Sequence, residues 1–430
     1  MTRSGHPLLG LIPELRRDPI AALEGLARQG DVVRFRIGPL PAFTVNDPEA
    51  AHHVLVRHRD RYIKSPLFDR LKILLGEGLV MTTRDEWRWD RRQLQPAFTR
   101  KYIDGRLDEM VATVEDWMKP WQAGEERDLA AEMLGLSLGL LVGSLMPQVD
   151  RRSLAEIRVA FEAAQDELAT RLWDLVAWPL FIPTIRNRRF REARASLLAE
   201  LDRALTKSVG GTDLVATIVG AEPFPGQRRT RAEKVHDQLL TFLFAGHETT
   251  SNSLAFLLHH LAREPEVCAD VRAELREVLG DDRLTLAHLS ALPRTRAAIE
   301  EALRVHPTIW AFTRHAVAED RIAGVRIPRG STLLVSPWTL HRHPKHWREP
   351  ERYDPTRFEG SKPPRGAFIP FGAGPRACIG DHFAMLEMTA VLSVLLRRFD
   401  WHLPDDYVLR PRARLTVGLD GGLPATLASL

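Results

Sequence analysis

Cysteine is almost missing from this chain: 430 residues hold two, Cys268 and Cys378. Two are too few for a disulfide framework, and their separation rules out a CxxC metal knuckle, so a reducing cytoplasm is the expected compartment. A dominant charge is missing too. Sixty Lys plus Arg face 56 Asp plus Glu, a net +4, which excludes the electrostatic footprint of a nucleic-acid binder. Lysine supplies only eight of those 60 cations, a bias that names no partner.

Long apolar runs are also lacking. Residues 8–12 are broken by Gly10 and stopped by Pro13 and Glu14, so they form neither a signal peptide nor an anchor. The longest uncharged stretch, residues 133–149, falls short of the roughly 20 residues of a membrane span. It reads as a buried helix whose Gly135, Gly139 and Gly143 would let a neighbour approach closely. His341, His343 and His346 could be drawn as a metal cluster, but spacings of two and three around Pro344 do not present three rings together. A surface turn is expected there.

Hydrophobic residues make up 44% of the chain, enough to fill a sizeable core and to exclude a disordered protein. From residue 84 to about 305, apolar residues recur at three and four, which predicts a helical body. Residues 32–37 and 42–45 before it, and 323–327 and 332–336 after it, read as short strands. A small sheet should therefore draw on both ends of the chain. Residues 210–230, rich in Gly, Pro and Arg, read as a loop inside one domain.

Residues 371–380 read Phe-Gly-Ala-Gly-Pro-Arg-Ala-Cys-Ile-Gly, and a strongly periodic helix is expected over 381–399. Cys378 then stands at a helix N-terminus, where free N–H groups and the positive end of the dipole favour a thiolate, a strong iron ligand. Gly372, Gly374 and Gly380 let the loop backbone approach a flat partner and leave N–H groups for the sulfur. Arg376 could reach a carboxylate. Cys268, in the amphipathic segment 265–280, reads instead as a small buried hydrophobe. A second segment, 232–264, has the period of one helix on the order of 45 Å long. At its centre lies Ala245-Gly246-His247-Glu248-Thr249-Thr250, where Gly and Thr predict a local distortion.

The loop pattern Phe-x-x-Gly-x-Arg-x-Cys-x-Gly, with Phe371, Gly374, Arg376, Cys378 and Gly380 in place, resembles the haem-binding loop of the cytochrome P450 family. The string at 245–250 resembles that family's Ala/Gly-Gly-x-Asp/Glu-Thr-Thr/Ser motif. Glu301 and Arg304, followed by His306 and Pro307, resemble its Glu-x-x-Arg helix, and Pro355 to Phe358, with Arg357, its Pro-x-Arg-Phe meander. Trp87 and Arg91 resemble its Trp-x-x-x-Arg pair, and Arg314 matches a second propionate arginine by position.

The resemblance spans nearly the whole chain. It implies one domain over residues 1–430, mainly α with a small β-sheet, carrying haem b (iron protoporphyrin IX). Cys378 would be the metal ligand, and Trp87, Arg91, Arg314, Phe371, Gly374, Arg376 and Gly380 would hold the cofactor. Glu248 and Thr249 would be catalytic, serving oxygen activation, while Glu301, Arg304 and Arg357 would form a buried charge network beneath the cysteine loop. The expected reaction inserts one atom of O2 into a lipophilic small molecule. Because the chain ends soon after the haem segment, its electrons would come from a separate ferredoxin and ferredoxin reductase, meeting a basic face at Arg88, Arg92, Arg100 and Lys101. By family position residues 172–185 would pack as the lid over the substrate channel or as core, and 81–83 and 309–313 would face the haem pocket. Two rival readings remain: a peroxide-dependent haem-thiolate enzyme, and a haem-thiolate sensor without turnover. The pair Glu248 and Thr249 weighs against both.

Overall fold

Val32–Ile37 (β1) alternates as a half-buried strand must: Val33, Phe35 and Ile37 point inward, Arg34 and Arg36 outward. The chain reverses at Gly38, whose φ of +58° suits glycine, and returns antiparallel as Leu40–Val45 (β2), two residues longer than expected. β2 lies parallel to Thr332–Val335 (β7), with Ala42 opposite Thr332. Phe312–Ala316 (β4) and Tyr62–Lys64 (β3) complete a sheet of order β1-β2-β7-β4-β3. The sheet does join the two ends of the chain.

The computed structural model describes residues 5–145, 154–161, 163–164, 179–207, 214–360 and 363–430. The chain divides into two units. The first comprises Met1–Pro66, Leu107–Met133 and Thr249–Leu430, and the second Leu67–Arg106 and Leu134–Glu248. The helices used below are Arg84–Leu94 (α1), Leu107–Met118 (α2), Leu129–Leu145 (α3), Ile185–Lys207 (α4), Leu214–Gly220 (α5), Arg231–Arg263 (α6), Pro265–Leu279 (α7), Pro293–Val305 (α8) and Asp381–Leu395 (α9). In the first unit α9 packs on α2 and α8 through an apolar face that includes Leu386, Val391, Leu392 and Leu395. A second sheet there sets Pro424–Ser429 between Glu126–Asp128 and Phe399–His402.

Several expectations are corrected. The run 323–327 is not one strand: Ala323 and Gly324 have φ of +47° and +79° and form the turn between Asp320–Ile322 (β5) and Val325–Ile327 (β6). The supposed loop 210–230 contains α5, because Leu214, Val215 and Ile218 share a buried face. The helix expected over 381–399 ends at Leu395, and Phe399 already belongs to a strand. Of the stretch 133–149, the helix is described as far as Leu145 and residues 146–149 lie outside the described residues; among the described residues an added Cβ would meet Leu154 in ordinary contact at Gly139 and nothing within 4 Å at Gly143. Among the described residues no helix is long and apolar enough to cross a membrane. Of the lid segment, residues 172–178 lie outside the described residues, while Phe181 is exposed.

Candidate active site

Cys378 is exposed and lies two residues before Gly380, the N-cap of α9. The loop that presents it is shaped by glycine. Gly372 and Gly374 both have φ of +73°, and a Cβ on Gly374 would overlap the carbonyl oxygen of Leu55. That oxygen belongs to a π-helical turn, His53–Arg57, against which the loop rests. Within the loop, the Ala377 N–H donates to the Gly374 carbonyl at 3.0 Å and the Cys378 N–H to the Phe371 carbonyl at 2.8 Å. A thiol held at a helix N-terminus is suited to ionise and bind a soft or borderline metal.

Arg314 and Arg376 are half-buried cations of the same unit. Burial lowers Arg314 to about 10, and burial and then the Arg314 charge lower Arg376 to about 9. An anion between such groups would offset both effects, so the unit offers a thiol together with guanidiniums suited to carboxylates. That donor set fits an iron porphyrin bearing propionates.

Glu301 and Arg304 are completely buried and bonded twice, at 2.7 Å each. Arg304 also donates to the carbonyls of His341, Pro350 and Arg352, while Glu301 accepts from the Asp354 N–H and from Arg357. Burial raises the Glu301 pKa and the Arg304 contact opposes that rise. The expected charge network is therefore present. His341 overturns the surface-turn reading, because it is fully buried. His343 and His346 remain half-buried with their rings 5.1 Å apart, and no metal-binding group of three appears among the described residues.

α6 runs for 33 residues as an uninterrupted α-helix, so the distortion expected at 245–250 does not interrupt it. Gly246 serves close packing instead: a Cβ there would come within 3.1 Å of two Leu141 methyls on α3. His247 is buried, 2.9 Å from the Leu134 carbonyl and edge-on to Phe161. Burial lowers its pKa to about 4, which keeps it neutral. Glu248 and Thr249 are half-buried, and the Thr249 carbonyl accepts from the Ser253 hydroxyl at 2.9 Å.

In the second unit, Trp87 and Arg91 are half-buried on α1 and line an open groove of about 500 Å³ with Arg88, Arg92, Gln95 and Pro96. Arg91 Nε donates to Gln95 at 2.8 Å. A network that the sequence reading missed anchors this helix. Lys234 of α6 donates to the Glu77 carbonyl at 2.7 Å and pairs with Glu86 and Asp90 at 2.9 Å each. Asp237 and Gln238 accept from the Glu77 and Leu79 N–H groups. The available signal was a set of polar residues at i, i+3 and i+4 on a helix face whose neighbours are apolar. Of the candidate residues, Arg314, Phe371, Gly374, Arg376, Cys378, Gly380 and Thr249 fall in the first unit, and Trp87, Arg91 and Glu248 in the second.

The Cytochrome P450 family profile matches residues 2–419. Cyclooctat-9-en-7-ol 5-monooxygenase of Streptomyces melanosporofaciens is 33% identical over 406 residues, covering 92% of this chain and 88% of that protein. Pentalenene oxygenase of Streptomyces avermitilis is 31% identical over 422 residues, covering 96% and 92%. The fold is shared with the crystal structure of a mutant cytochrome P450DA haem domain at a TM-score of 0.88 and 27% identity, covering 100% of this chain and 97% of that one. On likeness of this extent in sequence and fold, the chain belongs to the cytochrome P450 family and is a haem-dependent monooxygenase, working with O2, a redox partner and a lipophilic substrate.

Proposed function

We propose that the chain hydroxylates a terpenoid-sized hydrocarbon skeleton in natural-product metabolism, with haem b held by Cys378. The bound haem supplies the iron centre at which dioxygen is activated. The carrying observation is the exposed thiol at the N-terminus of α9, on a loop whose Gly374 leaves no room for a side chain against Leu55. Trp87, Arg91, Arg314 and Arg376 bind the propionates, arginine's planar fork matching each carboxylate. Phe371, Gly374 and Gly380 shape the loop. The Thr249 hydroxyl holds a proton donor, and the Glu248 carboxylate relays protons to it. The names of the relatives in Streptomyces, one acting on a cyclooctatenol and one on pentalenene, support the substrate class.

The donor is a ferredoxin reduced by its reductase in the cytoplasm, docking on the exposed face of Arg88, Arg92, Arg100 and Lys101. Two measurements test this reading. Reduced protein with carbon monoxide should show the long-wavelength band of thiolate ligation, lost in Cys378→His and kept in Cys268→Ser. Turnover of terpenoid alcohols and hydrocarbons should require reduced ferredoxin and O2, slow as salt screens the basic face, and fail with peroxide alone. A band that survives Cys378→His overturns the ligand assignment, and peroxide-driven turnover at the full rate favours the peroxygenase.

A further inference from the structure

A chain of hydrogen bonds inside the first unit leads from the buried ion pair to the cysteine. His341 Nδ1 lies 3.2 Å from the carbonyl oxygen of Arg304, and its Nε2 lies 2.9 Å from the backbone nitrogen of Ile369. Ile369 in turn accepts from the Gly372 N–H at 3.0 Å, and Phe371 accepts from the Cys378 N–H at 2.8 Å. The Phe368 ring packs 5.3 Å from the imidazole.

The partners settle the tautomer. A carbonyl oxygen can only accept and an amide N–H can only donate, so Nδ1 carries the proton and Nε2 offers its lone pair. Each ring nitrogen thus faces a backbone partner of the matching kind. Burial and the charges of Arg304 and Arg342 hold the ring neutral, with a pKa lowered to about 3. The imidazole spans two segments distant in sequence: the end of α8, fixed by Glu301 and Arg304, and the irregular stretch that enters the cysteine loop.

We propose that His341 is a positioning residue for the thiolate ligand: through the Ile369 amide it sets where the loop 371–378 begins, and so how firmly Cys378 is presented. The proposal rests on the reading that Cys378 ligates the haem. Arg304 alone cannot do this, since its guanidinium bonds end on residues 301, 341, 350 and 352.

The experiment compares His341→Gln with His341→Asn in the haem-loaded protein. Gln keeps an acceptor at the reach of Nε2, whereas Asn keeps only a donor at the reach of Nδ1. The readouts are the lifetime of the thiolate carbon-monoxide band in mild urea and amide hydrogen exchange over residues 366–378. Asn should shorten the lifetime roughly tenfold or more, the size of one buried donor left unsatisfied, and speed exchange at Ile369 and Gly372. Gln should stay near the parent on both. Equal lifetimes for the two variants, or exchange that rises as much across α7 and α8 as in the loop, would overturn the proposal. Failure of the ligand reading is seen separately, as a thiolate band that persists in Cys378→His while the exchange contrast between Asn and Gln remains.

Discussion

Cys268 is 6% exposed within α7, where burial raises its thiol pKa, while Cys378 is exposed ahead of α9. Burial disfavours a thiolate at Cys268, whereas solvent and the helix-end charge favour one at Cys378. Thr249 makes a similar point. Its backbone is ordinary helix, and its carbonyl accepts from the Ser253 hydroxyl at 2.9 Å. Thr249→Ala should leave folding and substrate binding near the parent, continue to consume reductant, and release hydrogen peroxide in place of product. Productive proton delivery should fall by about 10²- to 10⁴-fold, the usual worth of a positioned general acid. Product formed per reductant consumed is the measurement; an unchanged ratio removes the hydroxyl from the proton path.

At the level of elements, α1 and the turn before it are bound to α6 by charges with little access to water. Lys234 is 8% exposed and Asp90 5%. Gly76 and Gly78 permit the approach, since a Cβ on either would overlap Asp237 or Thr241. Burial raises the Asp90 pKa and Lys234 opposes it, so removing the lysine leaves an uncompensated carboxylate. Lys234→Met should cost about 3 to 5 kcal/mol in urea unfolding near neutral pH. The loss should shrink in acid, where Asp90 takes a proton, and Lys234→Met with Asp90→Asn should recover most of it. If the double variant is no better than the single one, buried charge is not the cause.

Across the whole molecule, six buried histidines shape the response to acid, His52 among them with a pKa lowered by burial. Burial lowers His247 and His259 to about 4, His260 and His341 to about 3, and His306 well below its ordinary value. His260 and His306 share a hydrogen bond of 2.9 Å, and His260 stacks on Tyr353 at 4.3 Å, so a proton there meets a packed wall. In the unfolded chain each ring titrates near about 6.5, so below that pH the unfolded state binds more protons and stability falls. The loss approaches about 1.4 kcal/mol per pH unit for each ring until the folded group itself titrates. The urea midpoint should therefore drop steeply between about pH 6 and 4, where only the unfolded rings are charged. A flat midpoint over that range would mean that these rings are protonated in the folded chain.

Much of this protein was legible along the chain. Local chemistry sufficed for β1, whose alternation is visible in six residues, for the long helix α6, and for the loop at 371–380, where glycines and one cysteine sit within ten positions. Glu301 and Arg304 could be paired because helix geometry alone brings residues three apart together. Tertiary structure alone decided what depends on distant partners. His341 looks like its neighbours in a histidine-rich turn, and only the packing of α8 and Ile369 around it makes it a buried, neutral link. Gly246 looks like a helix breaker until Leu141 occupies the space where its side chain would be. Lys234 looks like surface charge until Glu86 and Asp90, about 150 residues earlier, close over it. The physical reason is the same throughout: propensity and capping act over a few residues, whereas burial, and with it pKa and charge pairing, is set by whatever the fold brings alongside.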